Sequence, residues 1–245
     1  MTGRSQLTLV ETKLFLRDPT AVFFVLALPI MLLGIFDIIT GKSHDTAAQK
    51  ASMAAFVPAM AMSMCLTMLS LNLLPTTLAT YREKGILRRM AASPVHPVNL
   101  LLAQLIINLA TAVVAAALVL GVGRLVFDTA LPDQVPAFLL AFALGAWALF
   151  SVGLVVAAVA PGSRAATSIG LSLLFPSLFF GGVFLPKEQL PHTVSVIGDY
   201  TPLGATLQAL RDSWEGNWPH TEHLLVLAII GALCSVLAAK LFRWQ

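Results

Sequence analysis

The chain has 245 residues, of which 58% are hydrophobic and 11% charged. A soluble globule carries about 25% charged residues and a disordered chain is polar, so both classes are excluded and a polytopic membrane protein remains. The net charge of +3 would hint at nucleic acid in a soluble protein; here it concerns which side of a membrane the cations occupy, and no nucleic-acid partner is expected.

In chain order, residues 1–18 come first. Leu7, Val10 and Leu14 fall at i, i+3 and i+7 beside Lys13 and Arg17, which predicts a basic helix lying in the membrane interface. The first apolar run covers 19–39. Glu11 and Asp18 interrupt any signal-peptide n-region and no small-residue cleavage site follows, so the run reads as an uncleaved span. Further runs cover 51–80, 98–123, 134–160, 165–185 and 223–241. A bilayer crossing needs about 20 apolar residues, and backbone in lipid must be satisfied internally. The fold class is therefore all-α, a single transmembrane domain of six spanning helices. Pro29, Pro58, Pro75 and Pro176 lie within spans, where each either shapes a helix or hinges it.

Six spans put both termini on one side. That side carries Arg4, Lys13, Arg17, Arg82, Lys84, Arg88, Arg89, Arg164, Lys240 and Arg243, ten cations, whereas Lys42, Lys50, Arg124, Lys187 and Arg211 make five on the other. The positive-inside rule then predicts cytoplasmic termini in a plasma or inner membrane.

Two connections carry more than topology. Residues 81–97 combine Arg82, Lys84, Arg88 and Arg89 with an apolar stripe of Leu87, Met90 and Ala91, and Pro94 ends the pattern. Positive-inside topology accounts for the cations; a helix that docks on a partner accounts for the stripe as well. Residues 186–222 form the longest connection. Within it Thr201-Pro202 marks a helix start, and Leu203, Leu207, Leu210 and Trp214 face away from Gln208, Arg211, Asp212 and Glu215. This predicts an amphipathic helix on the outer membrane face, preceded by a re-entrant turn at Gly181-Gly182.

Catalytic chemistry finds little support. Gly41-Lys42-Ser43 lacks the first glycine of a phosphate-binding loop, since Phe36 stands there. Gly170-Leu171-Ser172 lacks the second glycine of a nucleophile elbow. Interior positions of the runs hold no ionisable group to bind a coupling ion, Asp37 standing at a span end; Asn72, Gln104 and Asn108 are the strongest polar residues inside and suit interhelical hydrogen bonds. Cys65 and Cys234 sit in apolar runs as small hydrophobes, His192, His220 and His223 read as loop residues, and no metal ligands are expected. A conformational cycle needs a source of differential binding energy, so a separate cytoplasmic engine is inferred.

The segment Tyr81-Arg82-Glu83-Lys84-Gly85-Ile86-Leu87-Arg88-Arg89-Met90-Ala91-Ala92-Ser93-Pro94 resembles the E-R-E-x-G-T-L-x-x-L-x-x-[ST]-P motif of ABC-2-type exporter permeases, the daunorubicin-resistance type among them. Tyr81, Ile86 and Met90 depart from it. Leu16-Arg17-Asp18-Pro19, Gly181-Gly182, Pro186, Leu190-Pro191 and Thr201-Pro202 are similar to that family in the same order. The resemblance implies a dimer with a second copy or a related permease, and two cytoplasmic ATPase subunits holding ATP and Mg. This chain itself would bind no cofactor and would be no enzyme. Arg82, Glu83, Gly85, Leu87, Arg88, Arg89, Met90, Ser93 and Pro94 would form the coupling helix. Met60, Met64, Asn72, Phe175 and Phe179 are candidates for a path carrying a hydrophobic or amphipathic compound. A polysaccharide exporter and an intramembrane enzyme are the alternatives.

Overall fold

In a computed structural model of the chain, the described residues are 23, 27–42, 47–85, 98–127, 129–183 and 191–241. Regular structure among them is helical. Helix α1 spans Leu28–Lys42 and α2 spans Ala47–Met68, continuing through a π-helical turn, Leu69–Leu73, into Leu74–Glu83. Then come α3 (Val98–Val126), α4 (Val135–Val159), α5 (Ser163–Phe180), α6 (His192–Asp199), α7 (Pro202–Trp214) and α8 (Thr221–Leu241). The expected interfacial helix over 1–18 lies outside the described residues.

Four stretches are long and apolar enough to cross a membrane: Met53–Glu83, Leu100–Val126, Val135–Val159 and Thr221–Leu241. Of the other two expected spans, α1 shows 15 residues and α5 shows 18. The 31 residues of Met53–Glu83 rise about 46 Å, beyond the roughly 30 Å of bilayer hydrocarbon, so the ends of α2 overhang it. Tyr81, Arg82 and Glu83, assigned from the sequence to the following loop, thus continue the helix. It stops at Gly85, whose φ of +64° is costly for a residue with a Cβ.

The most enclosed helix is α2. Phe56, Met62, Leu66, Leu69, Leu74 and Leu78 are fully buried on it, with Leu149 of α4, Leu174 of α5 and Leu203, Leu207 and Leu210 of α7. Its first half packs on α7 and its last on α5, while α4 touches every part of it. The crossing centres on the π turn, where the Leu74 N–H reaches back to the Leu69 carbonyl. Pro75 follows; having no N–H, it serves neither Leu71, four residues back, nor Ser70, five back. Two glycines meet these carbonyls. A methyl at Gly153 of α4 would overlap the Ser70 oxygen, and one at Gly170 of α5 the Leu71 oxygen. Small residues let spanning helices approach to backbone contact, where Cα–H groups can face carbonyl oxygens.

The amphipathic helix lies elsewhere than its pattern suggests. Every residue from Leu203 to Arg211 is buried, Gln208 and Arg211 included, because α7 is set among α4, α8 and the first half of α2. On the far side of α4, Ser151 hydrogen-bonds Ser235 of α8 at 2.9 Å. Leu102, Ile106, Leu109 and Val113 form an exposed stripe along α3, as a lipid-facing surface should.

We expect Gly153→Ala and Gly170→Ala each to cost about 3 kcal/mol, since no rotamer relieves a clash with backbone, and to lower the thermal midpoint of the detergent-solubilised protein. Gly121 of α3 meets nothing within 4 Å, so Gly121→Ala should be neutral or stabilising by up to about 1 kcal/mol. Equal midpoints for Gly153→Ala and Gly121→Ala would refute the crossing.

Candidate functional site

The end of the bundle carrying Arg82, Lys84, Arg164 and Lys240 is its basic end, and the strongest polar geometry of the expected coupling residues lies there. Helix α5 begins after Gly162, which occupies the N-cap position without a side chain to offer its first turn. Glu83 supplies the cap from across the bundle. Its Oε1 accepts the Ser163 N–H at 2.9 Å and its Oε2 the Ser163 hydroxyl at 2.8 Å. A carboxylate suits this place, because helix N-termini carry unsatisfied N–H groups and partial positive charge. The Ser163 hydroxyl and N–H hold the Glu83 carboxyl below its ordinary range, helped by Arg164 and Arg82. A methyl at Gly162 would overlap the Glu83 carboxylate.

Two further contacts continue this tie in antiparallel order. The Thr76 and Thr167 hydroxyls lie 3.2 Å apart. Thr167 gives its hydrogen to the Ser163 carbonyl at 3.0 Å, so Thr76 is the donor between them. Gly170 against Leu71 follows. Ser163, Thr167 and Gly170 stand at i, i+4 and i+7, one face of α5. On another side of α2, Gln104 of α3 donates to the Tyr81 hydroxyl at 3.3 Å, and Asn108 donates to the Gln104 carbonyl at 2.8 Å. The end of α2 is thereby held to α5 and α3, immediately before residues 86–97.

The expected site residues fall into three groups. Arg82, Glu83 and Gly85 close α2, whereas Leu87, Arg88, Arg89, Met90, Ser93 and Pro94 lie outside the described residues. Of the path candidates, Met60 is 2% exposed and belongs to the core, Phe175 and Phe179 are 63% and 55% exposed on α5, and Met64 and Asn72 are half-buried on α2. The sequence did not single out Ser163 as the partner of Glu83; the helix-start signal of Gly162-Ser163 was readable, but not what caps it.

The opposite end holds α7 in place. The Thr201 hydroxyl accepts the Gly204 N–H at 3.1 Å and donates to the Gly198 carbonyl at 2.7 Å. Trp214 donates its indole N–H to Ala130 at 2.9 Å and meets Phe138 edge-on, with ring centres 5.4 Å apart. Buried Arg211 pairs with Glu215 at 2.9 Å. His223, read from the sequence as a loop histidine, is buried with its Nε2 3.5 Å from Asp199. Cys65 is buried and forms no disulfide, and Cys234 is half-buried. No cluster of metal-binding side chains occurs among the described residues.

Residues 5–214 match the ABC-2 type transporter family. The Inner membrane transport permease YhhJ of Escherichia coli (strain K12) is 24% identical over 178 residues, covering 70% of this chain and 47% of that protein. The protein of the same name from Shigella flexneri matches to the same extent. The chain thus spans about half the length of the curated relatives it matches. With most of its length covered by the family match, the chain belongs to the ABC-2 type transporter family of membrane permeases.

The clamp makes a pH prediction. A depressed carboxyl contributes stability above its unfolded pKa and loses it as pH falls through the folded value. Glu83→Gln should therefore melt below the wild type at neutral pH, and the difference should close as pH falls below 4.5, the ordinary value for this carboxyl. Ser163→Ala should lower the midpoint and flatten the same profile. Unchanged melting in both variants would remove the clamp from the account.

Proposed function

We propose that this member of the ABC-2 type transporter family is the permease subunit of an ATP-driven exporter, moving a hydrophobic or amphipathic compound out across the cell membrane. In this reading α1 and α5 complete six spans with the four long apolar helices. The basic end faces the cytoplasm, with both termini, and residues 86–97 dock on a separate ATPase subunit. Two such permeases, identical or related, and two ATPases holding ATP and Mg make the transporter.

The observation that carries the proposal is the Glu83–Ser163 clamp. Residues 86–97 follow directly on the last turn of α2, and that turn is tied through Ser163, Thr167 and Gly170 to α5. A displacement imposed on the loop by ATPase closure is passed to two helices together rather than lost in a flexible tether. Arg88 and Arg89 fix the docking register by charge complementarity, which sets orientation as much as affinity. Leu87 and Met90 add buried area, and Ser93-Pro94 ends the docking helix. Glu83 and Gly85 position the loop and leave contact with the partner to the residues beyond them.

For the cargo, Phe175 and Phe179 present exposed aromatic rings one turn apart on α5, and Met64 and Asn72 are half-buried on α2. Facing a second permease, these residues would line an apolar, adaptable path with one amide in it. Met60 lies in the core and supports this surface from inside.

We expect Arg88→Glu to insert normally while reducing ATPase co-purification and transport at least tenfold, equivalent to about 1.4 kcal/mol of docking energy. Glu83→Ala should retain insertion and lose transport. In a chain with Cys65→Ala and Cys234→Ala, the Ser93→Cys variant should react with an impermeant thiol reagent only after the cytoplasmic side is opened. Labelling from outside intact cells would invert the topology, and wild-type export by Arg88→Glu would remove the coupling role.

A further inference from the structure

At the basic end, α2, α4 and α8 finish around an open cleft of about 570 Å³, lined among the described residues by Arg82, Glu83, Ala158, Val159, Ala160, Pro161 and Leu241. We propose that this cleft binds the phosphate of an anionic phospholipid, with Arg82 as its cation.

Three observations meet here. First, Arg82 has donors to spare. Its Nη2 is shut off from water and meets no hydrogen-bond acceptor, which is costly for a buried N–H, while the residue as a whole is half-buried at the cleft wall. Glu83 also lines the cleft; its two oxygens are directed at Ser163, and neither is a hydrogen-bond partner of the Arg82 Nη2. Guanidinium groups pair phosphate in a fork geometry that suits such a place.

Second, much of the wall is apolar and exposed. Val159 is 59% exposed and Leu241 44% exposed, on helices whose outward faces are lipid-facing. A soluble anion would gain nothing from these walls, whereas a phospholipid can set its phosphate on Arg82 and lay its acyl chains along α4 and α8. Third, the depth suits a headgroup. Arg82 and Leu241 stand in the last turns of α2 and α8, and Pro161 in the short connection after α4. Lys84, Arg164 and Lys240 add positive charge to the same end of the bundle, and basic pockets between spans at a cytoplasmic face suit anionic headgroups. The site is separate from the docking role of residues 86–97.

The test is native mass spectrometry on the full chain in neutral detergent, titrated with phosphatidylglycerol, phosphatidylcholine or water-soluble glycerol 3-phosphate. Wild type should bind phosphatidylglycerol in preference to phosphatidylcholine and take up no glycerol 3-phosphate at matched concentration. Arg82→Gln should weaken phosphatidylglycerol about tenfold, the scale of a lost charge-assisted hydrogen bond, and Arg82→Lys should retain part of the binding. Val159→Trp adds bulk at an exposed position of the cleft wall and leaves the guanidinium in place; it should lose the lipid as well while melting as wild type does. Phosphatidylglycerol binding unchanged in both Arg82→Gln and Val159→Trp would overturn the proposal. So would glycerol 3-phosphate binding as well as the lipid does, which would make the site one for free phosphate. Displacement of the bound lipid from wild type by the ATPase subunit would assign Arg82 to the protein interface and overturn it too.

Discussion

Inside hydrocarbon a backbone carbonyl has no water to turn to, so any break in a spanning helix must be covered by protein. The arrangement follows from one such break. The Ser70 and Leu71 carbonyls lie where Pro75 offers no hydrogen, and Gly153 and Gly170 bring the backbones of α4 and α5 directly against them. This requirement puts α2 in the middle of the molecule. It fixes how closely α4 and α5 cross it, and so where α5 begins. With Gly170 at the π turn and α5 antiparallel to α2, Ser163 comes level with Glu83. The clamp at the basic end is a geometric consequence of covering a gap near the middle of the bundle.

How much of this was legible depended on sequence distance. Apolar runs disclose helices because a spanning segment must be continuous and lie within one stretch of chain. Gly85, Thr201-Pro202 and the cations at 82–89 were equally local signals. The partner of Glu83 is 80 residues away, and no local pattern joins a carboxylate to a helix start in another element. The π turn was half legible: Pro75 announces a lost hydrogen bond, but the sequence does not say whether the helix answers by kinking or by taking in an extra residue. Path candidates chosen by residue type and spacing included Met60, which the packing of α2 turns into the core.

The reading of α7 shows a limit of amphipathic patterns in membranes. A stripe of leucines opposite Gln208, Arg211, Asp212 and Glu215 describes equally a helix at the water surface and one that turns its polar side toward other protein. The second holds: Gln208 and Arg211 are buried, Glu215 answers the arginine charge, and Asp199 stands beside His223. Buried charge survives where it is paired. The end opposite the basic one is therefore closed by a polar, internally bonded insert rather than by a surface helix.

The π turn has one more consequence, which concerns rotational phase. An α-helix advances about 100° per residue, so a single extra residue rotates everything beyond it by more than a quarter-turn relative to everything before. Upstream of Leu69–Leu73, α2 faces α7; downstream it faces α5. A straight α-helix could not hold both relationships with the same side chains. The five residues of the turn thus set the angular offset between the two ends of α2. Were they to relax to α-helical winding, Glu83 would swing away from Ser163 even if no residue near either of them had changed.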